Sequence, residues 1–256
     1  MRVTGAVGVV TGGASGIGEG VARMLADGGG RVAVLDLPGS RGPELCAELG
    51  EAAEFFPLDV TDPAQVSATV EEVGKRFGRI DVLVNSAGIS PAARVVARDG
   101  TLFPLERFRQ GIEVNLVGAF DVLRNVAGVM ARNEPGEDGE RGVIVNVGSI
   151  AAFEGQVGQA SYAASKGGIV ALTLPLARDL ASCGVRVLCV CPGTIDTPMV
   201  RAASEEVRGY LREANVFPKR LGRAADIANV VRTCLETTYL NGEVIRVDAG
   251  VRMAPR

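Results

Sequence analysis

The chain has no histidine and no tryptophan, and its 256 residues include only three tyrosines, with aromatics at 4%. Without histidine there can be no Ser-His-Asp or Cys-His nucleophile pair, no His-ligated zinc and no imidazole acid or base. Proton chemistry must then run through Tyr, Lys, Asp, Glu or Cys. An excess of charge is lacking too: 27 Lys+Arg against 30 Asp+Glu leave a formal −3. That balance carries no footprint for nucleic acid or an anionic membrane surface. No run of about 18 apolar residues exists, so no membrane-spanning helix is expected. The five cysteines (Cys46, Cys183, Cys189, Cys191, Cys234) have no CxxC spacing. They read as buried, reduced core thiols of a cytoplasmic protein, and no metal site is expected. The N-terminus runs straight into the apolar stretch Val7–Val10 with no basic leader, in keeping with that compartment.

What is present is glycine, 34 residues, and a 47% hydrophobic content sufficient for a large core. The length predicts a single domain over 1–256. Short Val/Ile-rich runs recur at Ala6–Thr11, Arg31–Asp36, Ala53–Leu58, Val82–Asn85, Gly142–Val147, Val185–Val190 and Glu243–Val247. They lack polar alternation, as strands covered on both faces do. Amphipathic stretches separate them at Gly18–Gly28, Glu44–Glu48, Pro63–Phe77, Leu105–Arg132, Ser161–Ser182 and Ala224–Leu235. Strand–helix alternation throughout predicts an α/β fold, a doubly wound parallel sheet of about seven strands with helices on both faces. Ser90–Pro104 and the acidic Asn133–Arg141 read as polar loops. Asp196–Leu221, within a substrate loop at about 194–221, contains a short helix-like run.

The first strand ends in Thr11-Gly-Gly-Ala-Ser-Gly-Ile-Gly18, and a helix opens there. Glycines allow close backbone approach to a pyrophosphate, and a helix N-terminus offers free N–H groups and a favourable dipole. Asp36 ends the second strand, 20 positions after Gly16. A carboxylate there can accept both adenosine ribose hydroxyls and would repel a 2′-phosphate; neither Ser15 nor Leu37 supplies a compensating cation. The pattern reads as NAD rather than NADP. Asp59-Val60 ends the third strand, where a carboxylate could hold the adenine amino group or simply be a solvated loop residue. Tyr162 and Lys166, spaced i, i+4, share one helix face. A positive charge about 4 Å from a phenol at an effective dielectric of about 20 is worth roughly 4 kcal/mol, or about three pKa units. Lys166, with a bound cationic nicotinamide pushing the same way, is therefore expected to let Tyr162 exchange protons near pH 7. Ser149, at a strand's carboxyl edge, is a hydrogen-bond donor for a substrate oxygen or a turn cap.

The Thr11–Gly18 loop, Asn85-Ser86-Ala87-Gly88, Asn115 in Glu-Val-Asn-Leu, Ser149, Tyr162-x-x-x-Lys166 and Pro192-Gly193 together resemble the short-chain dehydrogenase/reductase family, in order and across the whole chain. Segments 34–38, 133–135, 151–160, 165–170, 173–181 and 240–248 are similar to a branch acting on 3-hydroxyacyl-CoA. The resemblance implies a single Rossmann domain and an NAD-dependent enzyme interconverting a secondary alcohol and a ketone, most simply 3-hydroxyacyl-CoA and 3-oxoacyl-CoA in lipid and fatty acid metabolism. Hydroxysteroids or acyl-carrier-protein substrates are the alternatives, and a non-catalytic dinucleotide-binding scaffold is a remote one. By resemblance Tyr162 is the acid/base, Lys166 lowers its pKa and holds the nicotinamide ribose, Ser149 orients the substrate oxygen and Asn115 anchors a relay water. Gly12, Ser15, Gly16, Ile17 and Gly18 would meet the pyrophosphate side, Asp36 the ribose, and Asp59 and Val60 the adenine. Asn85, Ser86, Ala87, Gly88, Pro192, Gly193, Ile195 and Thr197 complete the cofactor contacts. Ser86 stands where much of the family has Asn. A small-molecule substrate and a homotetramer are expected, with neither nucleic acid nor membrane as partner.

Overall fold

The computed structural model describes residues 1–255; Arg256, the last residue of the expected domain, lies outside the described residues. The strands are β1 (Val7–Thr11), β2 (Arg31–Asp36), β3 (Ala53–Pro57), β4 (Val82–Asn85), β5 (Gly142–Val147), β6 (Val185–Pro192) and β7 (Val244–Val247). They form one sheet in the order β3-β2-β1-β4-β5-β6-β7, every pairing parallel. The helices are α1 (Gly16–Asp27), α2 (Gly42–Leu49), α3 (Pro63–Phe77), α4 (Leu105–Ile112), α5 (Ala119–Met130), α6 (Ala160–Asp179), α7 (Pro198–Arg201), α8 (Glu205–Ala214) and α9 (Ala224–Glu236).

Alternate strand residues divide between two cores. Val82, Val84, Val143 and Val145 pack with Leu25 of α1, Leu45 of α2 and Ile227 of α9. Leu83, Ile144 and Val187 pack on the other face with Val70 of α3, Val126 of α5 and Leu176 of α6. Helices thus cover both faces, which is why the strands show no polar alternation. The direction of the strand order reverses between β1 and β4, and such a reversal opens a crevice at the strands' carboxyl ends.

Two segments differ from the sequence expectation. Leu105–Arg132 is not one helix: a π-helical stretch, Glu113–Gly118, separates α4 from α5 and carries the buried Asn115. Widened turns of this kind re-aim a side chain at the cost of regular hydrogen bonding. The segment 194–221 contains two helices, α7 and α8, rather than one short run. Cys189 and Cys191 are buried on one face of β6 with their sulfurs 3.7 Å apart.

Candidate active site

A cleft of about 1220 Å³ lies along the carboxyl ends of the strands. That exceeds the several hundred Å³ typical of small-ligand sites. Behind the residues that line it runs a polar row at the strand ends, where Thr11 is paired with Asn85 and Asn85 with Asn146. Asn85 Nδ2 donates to Asn146 Oδ1 at 3.0 Å and to the Ala119 carbonyl at 3.1 Å. Thr11 Oγ1 accepts the backbone N–H groups of Ser86 and Ala87 at 3.1 and 3.2 Å. Sequence reasoning gave Thr11 no role of its own. Its one signal is a polar residue closing an otherwise apolar strand.

The glycine loop is shaped by close approach. Gly12 has φ +61°, and a Cβ there would stand 2.8 Å from the Ala87 backbone. A Cβ on Gly18 would collide with the Gly12 carbonyl oxygen, so Gly18 serves loop-to-helix packing and does not line the cleft. Ser15 is the N-cap residue of α1 and makes no side-chain cap bond. Asp36 Oδ2 accepts the Ala14 N–H at 3.0 Å, and Oδ1 accepts the Leu37 N–H at 2.8 Å. Asp59 Oδ1 accepts from the Thr61 N–H and hydroxyl at 2.9 and 2.7 Å. Gly12, Ser15, Gly16, Ile17, Asp36, Asp59, Val60, Ser86, Ala87, Gly88, Pro192, Gly193, Ile195 and Thr197 all line the cleft, as do Ser149, Tyr162 and Lys166. Asn85 and Asn115 do not; both lie behind its wall.

The glycine cradle, the α1 N-terminus and a carboxylate at the end of β2 fit a nicotinamide dinucleotide. A carboxylate offers about four acceptor positions, and two of those on Asp36 are taken by backbone N–H groups. The remainder suffice for a pair of ribose hydroxyls.

At the other end of the cleft, Ser149 caps the turn Ile150–Ala152 by accepting the Ala151 N–H at 3.1 Å. It also hydrogen-bonds Tyr162. Of the two roles open to Ser149 in the sequence, the turn cap is thus present, and the same hydroxyl also meets Tyr162. Lys166, from the first turns of α6, is buried, and its Nζ donates to the Val147 carbonyl at 2.7 Å and lies 6.0 Å from the Tyr162 ring centre. Burial brings the Lys166 pKa down to about 8, against a smaller upward pull from Cys189 and Cys191. Burial also raises the Tyr162 pKa, opposed by the Ser149 hydrogen bond. The expected pull of Lys166 and a cationic nicotinamide on the phenol is opposed by the burial of the phenol itself. The i, i+4 spacing gives proximity but not desolvation, and desolvation dominates both groups here.

Asn115 fastens the cleft wall. Its Oδ1 accepts the Ile89 N–H at 2.8 Å, and its Nδ2 donates to the Ile89 carbonyl at 2.8 Å and to Ser165 Oγ at 3.0 Å. Both amide hydrogens are committed, so this side chain ties the β4 loop to α6.

The family model described as short chain dehydrogenase matches residues 6–208. The chain belongs to the short-chain dehydrogenase family. Its members are oxidoreductases acting on CH–OH groups, and so is this one. This short-chain dehydrogenase is 47% identical over 254 residues to the 3-hydroxyacyl-CoA dehydrogenase type-2 of Bos taurus, covering 99% of this chain and 97% of that protein. It is 35% identical over 257 residues to the 3-oxoacyl-[acyl-carrier-protein] reductase FabG of Escherichia coli (strain K12), covering 99% of this chain and all of that one. The crystal structure of 3-hydroxyacyl-CoA dehydrogenase type-2 from Mycobacterium avium superimposes with a TM-score of 0.92 at 39% identity, covering 100% of both chains. No helix among the described residues is long and apolar enough to cross a membrane. The described residues contain no cluster of three or more His, Cys, Asp or Glu able to hold a metal.

Proposed function

We propose that the chain is an NAD-dependent dehydrogenase that oxidises the 3-hydroxyl of an acyl-CoA to the 3-oxo group. The observation that carries this reading is the Ser149–Tyr162 hydrogen bond beside buried Lys166, at the opposite end of one cleft from Asp36. The names of the bovine and mycobacterial relatives support the acyl-CoA substrate. Asp36 supports NAD over NADP, since its charge opposes a 2′-phosphate. The neighbouring Arg41 guanidinium is paired with Glu48 at 3.3 Å.

The nicotinamide supplies the hydride acceptor. Gly12, Ser15, Gly16 and Ile17 would hold the pyrophosphate side, Asp36 the ribose, and Asp59 and Val60 the adenine. Ser149 holds the substrate oxygen while Tyr162 takes the proton from that oxygen. When protonated, Lys166 favours the phenolate form of Tyr162, the form that can accept this proton and become the neutral phenol. Asn115 acts by positioning: through Ser165 it fixes the helix that carries Tyr162 and Lys166. A cytoplasmic homotetramer in fatty acid metabolism belongs to the same proposal. The exposed Val117, Phe120 and Leu174 on the π segment, α5 and α6 support self-association there.

The test is NADH formation followed spectrophotometrically with 3-hydroxyacyl-CoA of graded chain length, beside a hydroxysteroid, with NAD and NADP in parallel. Turnover of acyl-CoA with NAD is expected. Turnover of the steroid alone, or a requirement for NADP, overturns the reading.

A further inference from the structure

Met253 lines the cleft although it lies in the C-terminal tail beyond β7. The tail is held there by defined bonds. The Met253 N–H donates to Glu154 Oε2 at 2.9 Å, while Glu154 Oε1 receives Arg246 Nη1 from β7 at 2.8 Å. Alongside, Gln156 Nε2 donates to the Ala254 carbonyl at 2.9 Å and the Val157 N–H to the Pro255 carbonyl at 3.1 Å. Glu154 lies two residues past the short turn that Ser149 caps, and its N–H donates to the Ile150 carbonyl at 3.1 Å. One carboxylate therefore connects the tail to the turn holding the residue that orients the substrate oxygen. The Arg246 hydrogen bond keeps the Glu154 pKa below the usual carboxylate range, so the connection stays charged at neutral pH.

Methionine is unbranched and polarizable, and it adapts to irregular apolar ligands. An apolar wall that contacts a chain discriminates its length by about tenfold per methylene or more. We propose that Met253 is a specificity-determining wall for the acyl chain, and that Glu154 is the positioning residue that holds it in the cleft. This inference rests on the acyl-CoA reading above.

The test compares kcat/KM for 3-hydroxydecanoyl-CoA and 3-hydroxybutyryl-CoA in the full chain and its variants. Met253→Ala should lower the ten-carbon to four-carbon ratio about fivefold through KM, and Met253→Trp about tenfold. The KM for NAD and the melting temperature should stay at the parent values. Glu154→Ala should lower the same ratio through the KM of the ten-carbon substrate, and Glu154→Gln, which keeps an acceptor for the Met253 N–H, should restore most of it. Ratios unchanged within about twofold in both Met253 variants, in an enzyme active on both substrates, overturn the inference alone. Failure of the unmodified chain to oxidise either acyl-CoA overturns the substrate reading and this inference with it.

Discussion

Lys166 Nζ donates to the Val147 carbonyl at 2.7 Å, anchoring a buried ammonium to the strand that leads into Ser149. The ammonium is held against its desolvation cost, and stability should register that. The folded pKa, about 8, lies below the ordinary 10.5. Between those values the unfolded chain binds a proton that the folded chain does not, so stability rises with pH across pH 8 to 10.5 and is lowest below pH 8. The shift corresponds to about 3 kcal/mol below pH 8. Lys166→Met should abolish turnover, remove this pH dependence and raise the melting temperature at pH 7. The gain will be smaller than the full shift, because losing the bond to the Val147 carbonyl costs about 1 kcal/mol. Melting curves from pH 7 to 10.5 check it; a Lys166→Met variant melting lower than the parent at pH 7 sinks the desolvation argument.

Tyr162 is the only phenol in the cleft lining, and no imidazole exists to replace it. Tyr162→Phe should reduce kcat by about 100-fold or more while leaving NAD affinity by calorimetry within about twofold. The parent activity should rise with pH, because the phenol's raised pKa means less phenolate at neutral pH. A flat profile from pH 6 to 9, or substantial turnover by Tyr162→Phe, would mean that another group moves the proton.

Asp36 has two tasks that substitutions can separate. Asp36→Asn removes the charge yet keeps an oxygen for the Ala14 N–H, so the NADP/NAD ratio of kcat/KM should rise about tenfold or more. Asp36→Ala should make a similar change in preference and also lose about 1 kcal/mol of stability with the loop contact. Equal melting temperatures for the two variants would show that the Ala14 bond does not hold the loop. An unchanged NADP/NAD ratio in both would dismiss Asp36 as the discriminating residue.

Much of the fold is legible along the chain because its signals are local. Arg31–Asp36 and Gly142–Val147 are strands over the expected residues because strands buried on both faces need continuous apolar runs. Pro63–Phe77 is likewise a helix over the expected residues, with Asp62 at its N-cap and Gly78 in the left-handed region at its end. The π segment at Asn115 is not legible in this way, because its widening serves contacts with Ile89 and Ser165, 26 and 50 positions away.

Sequence alone determined which chemistry was open to this protein. The absence of histidine left Tyr, Lys, Asp, Glu and Cys to handle protons, the spacing of Tyr162 and Lys166 and the family resemblance singled out that pair, and the glycine loop with Asp36 pointed to a dinucleotide. Tertiary structure decided how those groups behave. It buried Lys166 enough to bring its pKa to about 8 and set Ser149 against Tyr162. It also brought Met253 of the distant C-terminal tail into the same cleft. Desolvation and long-range contact depend on what the whole chain packs around a residue, and no local spacing encodes either.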